Sequence, residues 1–308
     1  MSELNSVDKA LLEKIAEMKN GAAPGAYNIR KDSGCAGRVN TDNVTITNKT
    51  DKPGIDITFA PGCKETCHIP VIITESGLKE TVYNDFYVGE GADVIIIAGC
   101  GIHNCGEDAS QHDGIHAFHI GKNARVKYVE KHYGEGDGLG ENVMNPTTIA
   151  YLDEGASLQM DTSQIAGIDS TKRDTRVVCG KGAEVVVTER LLTHGAQRAD
   201  SDMEIVLGGA DSRGRVISRS VAQDESVQVF RPRVVGNAKC FGHVQCDSII
   251  MGSAKISSVP EIAANDIDAQ LIHEAAIGRI AGDQLLKLET LGLTPEEAED
   301  RILKGFLA

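Results

Sequence analysis

The chain has 308 residues, 41% of them apolar, enough for one large domain or two ordinary ones with a real core. Its 45 acidic residues against 31 basic ones give a formal net charge of −14, which leaves no electrostatic footprint for nucleic acid or an anionic membrane. Tryptophan is absent and aromatic residues make up 4%, which argues against a surface for stacking sugars or bases, while 33 glycines favour many tight turns.

The N-terminal stretch MSELNSVDKALLEKIAEMKNG carries charges from its start and has no unbroken apolar core. It therefore reads as neither a signal peptide nor a membrane anchor, and the expected compartment is the cytoplasm. Eight cysteines in that compartment are expected to stay reduced, free for metal or sulfur chemistry. Leu11, Leu12, Ile15 and Met18 recur at helical spacing, which predicts a short amphipathic helix over Ser6 to Asn20, with Ser6 as N-cap and Gly21 just past its end. NGAAPGAYN then breaks the pattern, so residues 1–24 are assigned to an N-terminal helical segment.

Residues 25–270 contain a weak repeat: GEGADVIII, GKNARVKYV, DEGASLQMD, GKGAEVVVT, LGGADSRGRV and VGNAKCFGHV. Its shared alanines are Ala92, Ala124, Ala156, Ala183, Ala210 and Ala238, separated by 32, 32, 27, 27 and 28 residues. A period of that size marks a solenoid. Each turn precedes an alternating strand, such as Val94 and Ile96, Val126 and Tyr128, or Val185 and Val187, with one face buried at period two. Stacked strands joined by G-x-x-A corners predict a mainly β protein built as a β-helix, each coil burying its inner face against its neighbours. An antiparallel sandwich fits less well, because the same corner keeps returning.

Residues 271–308 change character. Thr294, Pro295 and Glu297 form a capping box with proline at the first helical position, and Gly292 and Gly305 stand where helices are expected to stop. Two short helices result, carrying Leu285, Leu286, Leu288, Leu291, Ile302, Leu303, Phe306 and Leu307. That is more apolar surface than so small a hairpin hides, so it covers the end of the solenoid or docks another protein.

No phosphate-binding loop is present, since Gly209 to Arg215 lacks the lysine and the following Ser or Thr, and no G-x-S-x-G elbow occurs. If the strand runs unbroken, Cys240 and Cys246, six apart, share a face with His243 on the other, whereas a bulge at Gly242 would change which face His243 takes. Cys246 with His273 and Glu274 would offer soft, borderline and hard ligands, suited to iron or zinc. Cys100, His103 and Cys105 are close enough in sequence to clasp one metal ion from a single loop. His112, His116 and His119 follow, with His116 and His119 on opposite faces if they lie on a strand. Cys63 and Cys67 before His68 miss the spacing of c-type haem attachment.

Three segments, QCDSIIMGSAKISSVPEI, AQLIHEAAIGRIAGDQLLKL and LGLTPEEAEDRILKGF, resemble the C-terminal signature of the SufB/SufD family of iron–sulfur cluster assembly proteins. A weaker match reaches back to GCGIHN and IGKNARVKYVEKHYG, so about two thirds of the chain is covered. The resemblance implies a right-handed parallel β-helix with a C-terminal helical region, no ATPase site of its own, and a SufC-like ABC-type ATPase docked on the C-terminal helices through Leu285, Leu288, Leu291, Ile302, Leu303 and Phe306. It further implies pairing through the β-helices, here as a homodimer, and assembly near that interface of a transient two-iron or four-iron cluster destined for apoproteins. Cys246, His273 and Glu274 match the family's cysteine, histidine and glutamate at that site. Cys240, His243, Cys100, His103 and Cys105 are secondary candidates. Within IAYLDEGASLQ, Asp153 stands where the resemblance puts a sulfur-accepting cysteine, so delivery by that route is not expected.

The expected function is therefore a scaffold rather than an enzyme. Two other readings stay open from residues alone: a metal-dependent hydrolase using the Cys/His residues at 100–119, and a β-helical polysaccharide-active enzyme.

Overall fold

The computed structural model describes residues 4–307 and has the expected architecture: a parallel β-helix, a short N-terminal helix and a helical C-terminus. The coils run through two sheets of 11 strands each. The first holds the long strands Asp93–His103, Arg125–Glu135, Ser157–Ala166, Glu184–Thr193, Ser212–Ala222, Cys240–Ile250 and Ala269–Gly278, in that order. The second holds Lys79–Val88, Ser110–Ile120, Ser170–Cys179, Arg198–Leu207 and Val227–Gly236, with shorter strands beside them. Pairing is parallel except in two N-terminal hairpins, Ala26–Lys31 with Gly34–Val39 and Val44–Asn48 with Gly54–Phe59.

The repeat marks where strands of the first sheet begin. Register stacks Ala92, Ala124, Ala156 and Ala183 one above another, because Asp93, Arg125, Ser157 and Glu184 are successive partners. Beyond Ala183 the stack continues through Ser212 and Cys240, not the expected Ala210 and Ala238. The corner from Leu207 to Ser212 is one residue longer than that from Cys179 to Ala183, whereas the corner from Gly236 to Cys240 has the usual length, and at both the place taken elsewhere by alanine falls two residues past the alanine that the spacing picks out. Cys240 is thus a small residue in a tight column, buried like the alanines. Inside, Phe59, Phe86, Phe118, Ile96, Met160, Val185 and Val216 belong to one continuous apolar cluster.

The N-terminal helix α1 spans Ser6–Ala16, four residues shorter than expected at its end. Its N-cap is Asn5 rather than Ser6: the Asn5 side chain accepts from the Asp8 amide at 2.9 Å, and the Asp8 carboxylate accepts from the Asn5 amide at 2.8 Å. Glu17 closes it in the left-handed conformation (φ 58°). Leu11, Leu12, Ile15 and Met18 are wholly buried on the outside of the first sheet, each contributing about 2 kcal/mol. The helix lies so close that a Cβ on Gly99 would stand 2.3 Å from the Ile15 carbonyl oxygen.

The last strand, Ala269–Gly278, carries the β-helix across the expected boundary at 270/271, and helices α2 (Gly282–Glu289) and α3 (Pro295–Phe306) follow. The Thr294 capping box is formed, with Gly292 at φ 95°, whereas Gly305 lies inside α3 rather than ending it. Among the described residues, no helix is long and apolar enough to cross a membrane.

Candidate functional site

Alternation along a strand sends every second side chain into the coil. Toward one end of the interior those positions are polar. On Arg125–Glu135 the inward run is Val126, Tyr128, Glu130 and His132; on Ser110–Ile120 it includes His112 and His116; Arg173 and Glu189 enter from two further strands. All are buried, so each must find a partner.

They find one another. The Arg30 guanidinium meets Glu80 at 2.8 Å, and the other Glu80 oxygen meets His112 Nδ1 at 3.0 Å. His112 and His132 both face the Cys100 thiol and pull its pKa down. Arg173 donates to Glu130 at 2.7 Å and stands 3.3 Å from His132 Nδ1. The Tyr128 hydroxyl donates to Glu130 at 3.0 Å and lies 2.7 Å from His116 Nδ1. Beyond Arg173, Glu189 lies at 4.0 Å and accepts from Ser201 at 3.1 Å.

This ladder sets the charges inside. Burial alone would push the Cys100 thiol up, but His112 and His132 outweigh it and bring it down to about 7. Burial opposes the charge on His112, yet Cys100 and Glu80 raise it to about 10. His132, against the same penalty, rises to about 9 beside Glu130 and Cys100. His116, by contrast, is dragged to about 4, burial being the main cause. Burial raises Cys67 and Cys179 to about 12 and Cys246 to about 11, and it pushes Cys63 and Cys240 up too. Cys100 is therefore the buried thiol poised to be a thiolate near neutrality.

At the C-terminal end of the solenoid, Cys246 points inward with its Sγ 3.6 Å from His273 Nε2. Glu274, one residue on, faces outward and meets His243 Nε2 at 3.3 Å. The sheet thus separates the three primary candidates into an inner pair, Cys246 with His273, and an outer pair, Glu274 with His243. Cys240 sits at the start of its strand in the small-residue column, away from both pairs.

The 100–105 segment is split as well. It begins as the end of a strand, so Cys100 enters the interior while His103 faces out, with the exposed Cys105 Sγ 3.1 Å from His103 Nε2. A single-loop clasp of Cys100, His103 and Cys105 is not formed. Among the described residues, no group of three or more His, Cys, Asp or Glu is gathered as if to hold a metal ion. His112 and His116 point inward and His119 outward, where it stacks between Tyr87 and Tyr151 at 5.1 and 5.7 Å. Asp153 is exposed beside a turn, so a cysteine there would face solvent. Glu80, Glu130, His132, Arg173 and Glu189 were not singled out from the sequence, although parity with Val126 and Tyr128 marks Glu130 and His132 as inward.

The two C-terminal helices pack on each other, and α3 leans on the outer face of the first sheet, where an Arg219 guanidinium nitrogen donates to the Phe306 carbonyl at 3.3 Å. Ser163, Arg190, Leu192, Gln223, Leu303 and Leu307 line a cleft of about 530 Å³ there. Leu285, Leu288, Ile302, Leu303 and Phe306 are half-buried, whereas Leu286 and Leu291 are 60% and 74% exposed.

The family model described as SUF system FeS cluster assembly, SufBD core domain, matches residues 75–306. An iron-sulfur cluster assembly SufBD family protein of Methanothermobacter thermautotrophicus is 28% identical over 285 residues, covering 88% of this chain and 67% of the relative. One from Archaeoglobus fulgidus is 28% identical over 262 residues (83% and 69%), and one from Methanocaldococcus jannaschii 27% over 246 (79% and 77%).

Proposed function

We infer, because the chain belongs to the SufBD core family of the SUF iron–sulfur cluster assembly system, that it is a cytoplasmic scaffold on which a cluster is built and from which it is released to apoproteins. The observation that carries this reading is the inner pair at the end of the solenoid, Cys246 Sγ 3.6 Å from His273 Nε2. A thiolate binds iron strongly and an imidazole more labilely, a combination suited to a cargo that must leave.

The cluster, of two or four irons, is cargo and not a resident group. Cys246, raised to about 11 by burial, loses its proton as iron arrives, and neutral His273 next to it is free to bind metal or take up that proton. Glu274 and His243, on the other face of the same strands, form a second donor pair for iron entering or leaving. Cys100 is the thiol we assign to holding sulfur inside the coil, since it is a thiolate near neutral pH; Arg173, Glu189 and Ser201 provide the polar continuation beyond it.

Two features support the partners. Ala269–Gly278 is the last strand of its sheet and exposes Ile272 and Ile277, an edge suited to a second copy of the chain. Leu286 on α2 and Leu291 in the turn before α3 present apolar surface to a SufC-like ABC-type ATPase, which would supply the hydrolysis that this chain lacks a phosphate loop to perform. The hydrolase reading is less supported, because Cys100 lies on the other face from His103 and Cys105 and, among the described residues, no three His, Cys, Asp or Glu side chains gather as if to hold a metal ion.

The test is anaerobic purification with and without a co-expressed SufC-like ATPase, followed by iron and acid-labile sulfide analysis. Equal iron and sulfide, increased by the ATPase, are expected; zinc without sulfide would overturn the scaffold assignment.

A further inference from the structure

A second thiol site lies on the outside of the first sheet, away from the inner face that holds Cys100 and Cys246. Cys105 is exposed and its Sγ stands 3.1 Å from His103 Nε2. The other ring nitrogen of His103 lies 3.4 Å from a Glu135 carboxylate oxygen, an ion-pair distance without hydrogen-bond geometry. The second Glu135 oxygen is held by Lys14 of α1 at 2.6 Å, and the same ammonium reaches the Tyr133 hydroxyl at 2.8 Å. Nucleophile, base and a carboxylate that can orient the base therefore stand in sequence, the arrangement that activates thiols in covalent catalysis. Burial would raise the Glu135 carboxyl, but the bond from Lys14 and its neighbours outweigh it, so Glu135 stays anionic beside His103.

The loop that carries Cys105 is held rigidly. Asn104, nearly wholly buried, donates from its side chain to the carbonyls of Asp108 and Gly140 at 2.9 and 3.1 Å and accepts from the Gly106 amide at 3.1 Å. The next coil lies directly on it: the Gly138 amide donates to the Asn104 carbonyl at 3.2 Å and that of Gly140 to Gly106 at 3.0 Å. The alternating glycines of the stretch GEGDGLGE have their reason here, since a Cβ on Gly138 would lie 2.6 Å from the backbone of Cys105 and one on Gly136 2.0 Å from the Asn104 carbonyl. Backbone packed this closely fixes a site with the precision that a reacting pair needs.

We propose that Cys105 is an activated surface thiol that accepts sulfane sulfur from a donor persulfide, with His103 as its base and Glu135 as the residue positioning His103. The electrophile follows from the scaffold reading above; the activation of the thiol rests on geometry alone. The Cys105 proton passes to His103 Nε2, and the thiolate attacks the outer sulfur of R–S–SH. The bond from Cys105 Sγ to that sulfur forms as the donor S–S bond breaks. The donor leaves as R–SH with the proton from His103, so one persulfide and one thiol yield one persulfide and one thiol with no net oxidation.

Two measurements on the intact chain test this. Iodoacetamide labelling, read by peptide mass, should slow at Cys105 by about tenfold in His103→Gln at neutral pH, less than a base contributes to an alcohol because a thiol ionises partly unaided. The deficit should vanish at alkaline pH, and labelling of exposed Cys35 should not change. With glutathione persulfide as donor, the Cys105 peptide should gain one sulfur atom, more slowly in His103→Gln and not at all in Cys105→Ser. Labelling of Cys105 indifferent to His103, or sulfur appearing elsewhere with Cys105 untouched, would overturn the proposal. Neither readout involves iron or the ATPase, so a failure of cluster loading would strike the scaffold reading and leave this one standing.

Discussion

His273 reaches Cys246 diagonally: register pairs His273 with Val244, yet its Nε2 lies 3.6 Å from the Cys246 sulfur two residues along the neighbouring strand. The contact depends on two adjacent coils being in register, so a shift of one residue between these strands would turn His273 outward. The last coil is where such a pair can be opened, since its outer strand has a neighbour in this chain on one side only.

Cys100 and His112 should behave as a thiolate–imidazolium pair. The thiol is lowered to about 7, so the stability it adds is present at higher pH and lost as pH falls through 7. His112 is raised to about 10, so its share is present at lower pH and lost as pH rises through 10. At pH 8, ultraviolet thiolate absorbance should be lower in Cys100→Ser than in the wild type, the remainder coming from the exposed Cys35 and Cys105. In His112→Gln the thiol should move up toward the values of the other buried cysteines, and the absorbance at pH 8 should fall.

Glu130 and Arg173 form a buried ion pair at 2.7 Å, with side chains 1% and 7% exposed. Removing either alone strands the other charge, so Arg173→Met or Glu130→Leu should each cost roughly 3–5 kcal/mol in denaturant unfolding. The double variant should recover part of that loss but not all of it, because His132 and the Tyr128 hydroxyl lose Glu130 and the Glu189 carboxylate loses Arg173.

Gly99→Ala should loosen α1. The added Cβ would meet backbone, the Ile15 carbonyl oxygen at 2.3 Å, and a backbone atom cannot swing away as a side chain can. A loss of about 1–3 kcal/mol is expected, together with faster proteolysis within Ser6–Ala16. Gly278→Ala, which meets nothing, is the control.

Leu291 is 74% exposed, so Leu291→Asp should leave thermal unfolding within about 0.5 kcal/mol of wild type. Binding of a SufC-like ATPase should nevertheless weaken by at least about tenfold, the mark of an anchor residue in an interface. Leu303, half-buried in the cleft beneath α3, should lower both when changed to Asp.

The solenoid was legible because its corners repeat: a small residue must fit the same tight place in every coil, and four alanines in register do so. The last two corners were misaligned because Ser212 and Cys240 fill that place without being alanine. The second sheet carries no such signature, so its strands did not stand out. Of the site, Cys246 and His273 were legible through resemblance, but their separation from Glu274 is a matter of parity that residue types do not display. The interior ladder was missed because Glu130, His132 and Arg173 look like solvent-facing residues until their partners in other coils are known; those partners lie as many as 43 residues apart.

The central claim is that Cys246 holds the cargo. Iron and acid-labile sulfide should be measured anaerobically in the wild type, Cys246→Ser and Cys179→Ser, the last a buried thiol with no imidazole beside it. Equal iron and sulfide in the wild type and in Cys179→Ser, with both lost from a folded Cys246→Ser, is the predicted result. Undiminished iron and sulfide in Cys246→Ser would contradict it.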